Sequence, residues 1–224
     1  MRRCVIIPAW APDGIRSVVT LKADDYIVCA DGGYALAERE GIRPNALVGD
    51  FDSLAEPPAG LPEGCLLKRV KREKNETDTL LCLQLGMEAG CRSFVLAGGI
   101  GGRLDHTVAN LQLLAYASQR GCVLWMADKN NRVTAMEPGE MRIPREKGFR
   151  LSVLAFTERC KGVTLMNVKY PLRDAVLTQD FPLGISNEFL GEEAVIRLEE
   201  GRLLLILSRD PENSAQKTNN SPEK

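Results

Sequence analysis

The chain has 224 residues, 44% of them hydrophobic, enough for one large domain or two small ones. Its 29 basic side chains nearly match its 30 acidic ones, so no basic excess exists to neutralise a nucleic-acid backbone, and anionic ligands must be handled locally. A single histidine, His106, excludes any site built on two imidazoles and leaves catalysis to carboxylates, metal and basic side chains.

No apolar run approaches the ~20 residues that a bilayer span requires, and the opening residues 1–8 are too short for a secretory leader. A cytoplasmic protein without membrane attachment is therefore expected. The seven cysteines include no C-x-x-C pair and fall mainly in apolar segments (Cys4, Cys29, Cys82, Cys122), which reads as a set of reduced core thiols.

Val5-Ile6-Ile7 reads as a first buried strand, followed by a loop from Pro8 to Gly14 that carries an exposed Trp10. Tyr26 to Ala30 reads as a second strand that stops at Asp31-Gly32-Gly33, with a helix from Tyr34 to Glu40 closed by Gly41. Ala46 to Gly49 is the next strand. Pro57 to Pro62 reads as a loop and Leu66 to Val70 as a strand. A charged loop, Lys71 to Asp78, then enters a helix from Thr79 to Ala89, with Thr77 or Asp78 as its N-cap. Phe94 to Ala97 is a further strand. It feeds Gly98-Gly99-Ile100-Gly101-Gly102 and a helix from Leu104 to Gln119, whose apolar positions Val108, Leu111, Leu114 and Ala115 recur at helical spacing. Val123 to Met126 completes the series.

Short apolar strands alternating with helices predict an α/β N-terminal domain over residues 1–132, with a mainly parallel, doubly wound sheet. Ligands of such sheets sit at the carboxyl ends of the strands. Asp31, Asp50, Asp52 and the glycine run each follow a strand directly and should converge on one edge. The pattern changes near residue 133. Apolar stretches at 149–156, 162–165, 175–177, 194–198 and 203–207 are separated by turns and show no helical period, predicting an all-β C-terminal sandwich or barrel over 133–208. Glu199-Glu200-Gly201 reads as a hairpin turn between the last two strands, and 209–224 as a disordered polar tail.

The chemistry centres on Gly49-Asp50-Phe51-Asp52-Ser53. Side chains at i and i+2 of an extended backbone share a side, so Asp50 and Asp52 can point into one small volume. Two ionised carboxylates that close call for a cation, and magnesium favours a few carboxylate oxygens completed by phosphate. Gly, Asp and Ser are also ordinary turn formers, so D-x-D on its own fits a surface turn better, and the residues around it carry the functional reading. Asp31-Gly32-Gly33 combines a carboxylate with backbone that can approach a ligand closely. Asp78 suits a helix start whether or not it binds metal. The glycine run with Arg103 can offer backbone N–H groups and a bidentate donor to phosphate, though it is neither a Walker loop nor a G-x-G-x-x-G fingerprint. Asp105 and His106 open the next helix as cap and packing residue, or as phosphate contacts. Lys71, Arg72 and Lys74 are a solvated loop or a polyphosphate clamp. Ser186-Asn187 supplies turn chemistry or polar handles for a small molecule.

In this order, Asp31-Gly32-Gly33, Gly49 to Ser53, Glu76-Thr77-Asp78, Gly98 to His106 and Ser186-Asn187 together resemble thiamine pyrophosphokinase, over about residues 25–207. The resemblance implies an N-terminal α/β domain joined to a C-terminal β-sandwich, and a homodimer with thiamine at the subunit interface. It also implies transfer of the pyrophosphoryl group of ATP to the thiamine hydroxyl, giving thiamine diphosphate and AMP. Carried over by residue, it makes Asp50, Asp52 and Asp78 the magnesium (Mg2+) and catalytic carboxylates and adds Asp31 to the acidic cluster on the nucleotide and phosphate side. Gly32, Gly98, Gly99, Gly101, Gly102, Arg103 and Asp105 then belong to the nucleotide and phosphate site, and Ser186 and Asn187 contact thiamine. It leaves the adenine pocket unassigned and does not separate Asp52 from Asp78 as acceptor of the hydroxyl proton. Trp10 or Trp125 could wall the thiamine ring, or simply pack. Two other readings remain: a D-x-D glycosyl or nucleotidyl transferase, which predicts a sugar nucleotide as donor, and a sensor of the same fold, which binds without turnover.

Overall fold

The computed structural model describes residues 2–50, 61–71, 73 and 75–210. Phe51, Asp52, Ser53, Arg72, Lys74, the Pro57–Gly60 part of the expected loop and the tail from residue 211 lie outside the described residues.

The chain order is β1 (Arg3–Ile7), β2 (Tyr26–Ala30), α1 (Gly33–Arg39), β3 (Ala46–Gly49), β4 (Leu66–Arg69), α2 (Asp78–Glu88), β5 (Ser93–Ala97), α3 (Leu104–Ser118) and β6 (Val123–Ala127). Then come β7 (Asn131–Met136), β8 (Gly139–Pro144), β9 (Arg150–Ala155), β10 (Arg159–Met166), β11 (Leu172–Thr178), β12 (Glu193–Leu198) and β13 (Leu203–Ser208). Every strand and helix expected up to Met126 is present within a residue or two of its expected bounds.

Among the described residues the main sheet has nine strands in the order β4-β3-β2-β1-β5-β6-β7-β13-β9. From β4 to β6 every pairing is parallel; from β6 onward every pairing is antiparallel. A second antiparallel sheet, β11-β10-β12-β8, covers the C-terminal part. The mainly parallel α/β sheet and the all-β second half are as expected.

The alternation of a strand explains why the parallel part is wound on both faces. Cys4 and Ile6 of β1 pack with Leu83 of α2 and Leu114 of α3. Val5 and Ile7 point the other way, to Ala37 of α1 and to Ile15 and Val19 of the connection between β1 and β2. Further along, β13 serves two cores. Leu204 joins the α2/α3 side, while Leu203, Leu205 and Leu207 face Val163, Leu165 and Ile196 of the second sheet. The sheet therefore runs unbroken through residue 133, which lies inside β7.

Two expectations need correction, and two strands are new. The Glu199-Glu200-Gly201 connector is not a hairpin, because β12 and β13 belong to different sheets and the segment crosses between them, its backbone pairing with Lys161. β7 and β8 were not anticipated. On α3 the buried face is Asn110, Leu113, Leu114 and Ala117, and Val108 is exposed.

Candidate active site

The strand order fixes where a ligand belongs. The chain steps outward from β1 through β2 and β3 to β4, then returns to place β5 on the other side of β1. The switch point, and hence the crevice, lies beyond the carboxyl ends of β1 and β5. A cleft of about 500 Å3 opens there, lined among others by Pro8, Trp10, Asp31, Asp50, Asp78, Gly99, Gly101, Arg103, His106 and Asn110.

Each acidic residue arrives by its own element. Asp31 ends β2 in a left-handed conformation, φ 41°, and its N–H donates to Val48 O at 2.8 Å. Gly49 makes this approach possible, since a Cβ there would stand 3.0 Å from Asp31 Oδ1 and 3.1 Å from Asp31 Cα. The next residue, Asp50, is thereby delivered beside Asp31. Asp78 is the first residue of α2. Its helix is capped by Thr77, whose Oγ1 accepts the Leu80 N–H at 3.2 Å, so Thr77 rather than Asp78 is the N-cap. The described residues contain no cluster of three metal-ligating side chains.

The glycine run is placed differently from the sequence expectation. The N–H groups of Gly98, Gly99 and Gly101 donate to Ala127 O (2.7 Å), Trp10 O (2.7 Å) and Thr107 Oγ1 (3.1 Å). Three amides expected to face phosphate are instead used to fold the loop. Asn110, 6% exposed, donates from Nδ2 to Gly99 O at 3.0 Å. The glycines are needed because other groups press on them. A Cβ at Gly98, where φ is 116°, would stand 2.6 Å from Trp10 O.

Arg103 and Asp105 lie at the mouth of the cleft, paired through Nη2–Oδ2 (2.5 Å) and Nε–Oδ1 (3.2 Å). That hydrogen-bonded fork raises the Arg103 pKa and lowers that of Asp105. Both side chains are well exposed, so the pair is easily exchanged for another anion. Asp105 does not cap α3; Arg103 occupies the N-cap position, and Asp105 Oδ1 accepts the His106 N–H at 2.9 Å. His106 is exposed on the cleft rather than packed.

Gly32 is the N-cap of α1. Ser186 and Asn187 do not line this cleft. Ser186 is exposed with φ 58°. Asn187 is 2% exposed, and its amide is engaged with the Tyr170 backbone, Nδ2 to O at 2.8 Å and N to Oδ1 at 2.9 Å. Trp125 packs against the sandwich core. Asn110 escaped sequence reasoning, although a polar residue spaced three, four and seven positions from Leu113, Leu114 and Ala117 was a readable signal.

Carboxylates gathered at the switch point of a parallel sheet, with an exchangeable arginine at the rim, are the arrangement of α/β enzymes that act on nucleotides and their phosphates. Comparison with known proteins narrows this. Family models for the thiamin pyrophosphokinase catalytic domain and the thiamin pyrophosphokinase vitamin B1 binding domain match residues 19–126 and 140–203. A thiamine pyrophosphokinase of Bacillus subtilis is 30% identical over 213 residues, spanning 93% of this chain and all of that one. The crystal structure of the Bacillus subtilis thiamine pyrophosphokinase superposes with TM-score 0.81 at 25% identity, covering 94% of this chain and 100% of that chain. A thiamin pyrophosphokinase family protein from Enterococcus faecalis gives 0.80 at 27%, over 94% and 100%. The chain belongs to the thiamine pyrophosphokinase family.

Proposed function

We propose that this cleft transfers the pyrophosphoryl group of ATP to the hydroxyl of thiamine, giving thiamine diphosphate and AMP, by attack at the β-phosphorus. The observation that carries the reading is that Asp31, Asp50 and Asp78, reached from three separate elements, line one switch-point cleft together with Arg103. The carboxylates offer oxygen donors only, the set that suits magnesium. Asp50 and Asp78, with Asp52 two residues after Asp50 in sequence, would hold that ion, which needs only one or two protein carboxylates when phosphate and water complete its shell. When bound, it offsets charge on the phosphate oxygens.

The chain's own groups then have defined tasks. Asp78 or Asp52 accepts the thiamine hydroxyl proton as the new oxygen–phosphorus bond forms. The bond from the β-phosphorus to the oxygen bridging the α- and β-phosphates breaks, and AMP leaves with that oxygen. Arg103 moves from Asp105 to the phosphates and balances charge on the departing group. Gly32, Gly98, Gly99, Gly101, Gly102 and Asp105 shape the nucleotide side of the site. Residues 1–132 form the catalytic part and 133–208 the thiamine-binding part.

Ser186 contacts thiamine across the interface of a homodimer, in a turn that the buried Asn187 amide holds to Tyr170. In support, the segment around them exposes Phe181 (65%), Ile185 (54%) and Leu190 (69%), apolar surface that a second subunit would cover. Light scattering on the purified protein should give twice the 24.6 kDa chain mass; a monomer at assay concentration overturns the shared site. The acidic assignment is tested by Asp50→Asn, which should lower kcat at saturating magnesium at least ~100-fold with an unchanged circular dichroism spectrum. Unchanged turnover defeats it.

A further inference from the structure

Trp10 lies in the loop after β1, outside both matched family segments, yet it lines the cleft. Its indole is 50% exposed and held from several directions. Nε1 donates to Ile100 O at 3.1 Å, and the Trp10 carbonyl accepts the Gly99 N–H at 2.7 Å. The same loop is tied down further along, where Asp13 Oδ2 accepts the Lys129 N–H at 3.1 Å. A Cβ built at Gly102 would stand 2.9 Å from both Cδ2 and Cε2 of the indole. Those two atoms are the ring-fusion carbons and cannot be approached in the ring plane, so Gly102 covers one indole face. Half of the residue remains exposed, and it lines the cleft. A large aromatic surface already fixed in orientation loses little entropy when a flat ligand stacks on it.

We infer that Trp10 is the stacking platform for the adenine of the nucleotide, a specificity-determining contact for the donor substrate. This rests on the pyrophosphoryl-transfer reading of the same cleft. Position along the sheet edge supports adenine. In the order β3-β2-β1-β5, Asp50 follows β3, Asp31 follows β2, and Trp10, three residues beyond β1, is bonded to Gly99 beyond β5, so Trp10 stands on the far side of Asp31 from Asp50, about two to three strand spacings of ~4.8 Å along the edge. A nucleotide whose β-phosphate is at the carboxylates must extend its ribose and base away from them, and the platform lies in that direction. Thiamine is the poorer occupant, because the segment matched by the vitamin B1 binding domain is 140–203, and Ser186 and Asn187 are not part of this cleft. The glycine run thus has a second purpose: Gly102 holds the indole in place, which no residue with a Cβ could do at that distance.

The chain has only two tryptophans, and Trp125 is partly buried against the second core, so the difference in indole emission between wild type and Trp10→Phe reports on Trp10. Wild-type protein with magnesium should be quenched by ATP and by AMP, but by neither inorganic tripolyphosphate nor thiamine, and Trp10→Phe should lose most of the quench. In steady-state assays Trp10→Ala should raise KM for ATP roughly tenfold, leave kcat and KM for thiamine unchanged, and be largely restored by Trp10→Phe. ATP binding seen by calorimetry with unaltered wild-type emission overturns the inference, as does quenching by thiamine but not AMP, or an unchanged KM for ATP in Trp10→Ala. The emission arm uses native Trp10, so it decides the matter even when Trp10→Ala fails to fold. Wild-type protein that forms no thiamine diphosphate refutes the transfer reading instead, and turnover with a silent Trp10 refutes this inference alone.

Discussion

Replacing Asn110 by alanine removes one hydrogen bond from a place where water cannot substitute for it. The side chain is 6% exposed, and its Nδ2 is the donor to Gly99 O at 3.0 Å. Leaving that carbonyl without its donor costs about 2 kcal/mol, within the ~1–3 expected for a buried unsatisfied group. For a chain of this size each kcal/mol lowers Tm by about 2–4 °C, so the expected fall is about 4–8 °C. The matched control is Val108→Ala on the same helix, where the side chain is 47% exposed and the change should stay within ~0.5 kcal/mol. Scanning calorimetry on wild type and both variants gives the comparison. Because Gly99 also donates to Trp10 O, KM for ATP should rise in Asn110→Ala while KM for thiamine does not. Equal melting temperatures for the two variants would refute the claim that Asn110 fastens the glycine run.

Thr77→Ala deletes the cap of α2 and should cost about 1 kcal/mol in urea unfolding, with kcat reduced because Asp78 sits on the first turn it secures. An unchanged unfolding midpoint contradicts the cap. Asp25 gives a pH test. Burial raises its pKa, but the Arg3 fork at 2.8 and 2.6 Å and the Lys22 N–H at 2.7 Å pull it below the usual value. A lowered native pKa stabilises fully above ~3.9, the unfolded value, and is lost as pH falls through the native one. Urea unfolding of wild type should therefore weaken below about pH 4, and Arg3→Ala should lose about 1.5–3 kcal/mol at pH 7 but less at pH 3. An equal loss at both pH values would contradict the ion pair.

The parallel half of the fold was legible because its strands are continuous apolar runs ended by Asp or Gly, as at Tyr26–Asp31 and Ala46–Asp50. Periodicity did not reveal β7 and β8, which open on Asn131-Arg132 and Gly139-Glu140, and whose polar members are held by the sheet ladder rather than by hydrophobic pattern. The connector at 199–201 misled because a short turn-like segment says that the chain reverses, not which strand it meets; Gly201, at φ 96°, is pressed against Arg159 O and carries the chain from one sheet to the other. Asp31 and Asp50 were readable, since each follows a strand whose carboxyl end faces the crevice, whereas Asp78 opens α2 and its arrival at the same cleft depends on how that helix packs. The glycine run was readable as exceptional but not in its reason. That depended on Trp10 and Asn110, 88 residues before Gly98 and 11 residues after Gly99 in the chain, and only folding brings them to it.

The most direct test is to incubate the purified chain with thiamine, ATP and magnesium and to quantify AMP and thiamine diphosphate, with EDTA and no-thiamine controls. Equimolar AMP and thiamine diphosphate, absent from both controls and from Asp50→Asn, are the predicted result. Release of ADP or orthophosphate in place of AMP, or binding of both substrates with no product, would contradict pyrophosphoryl transfer at this cleft.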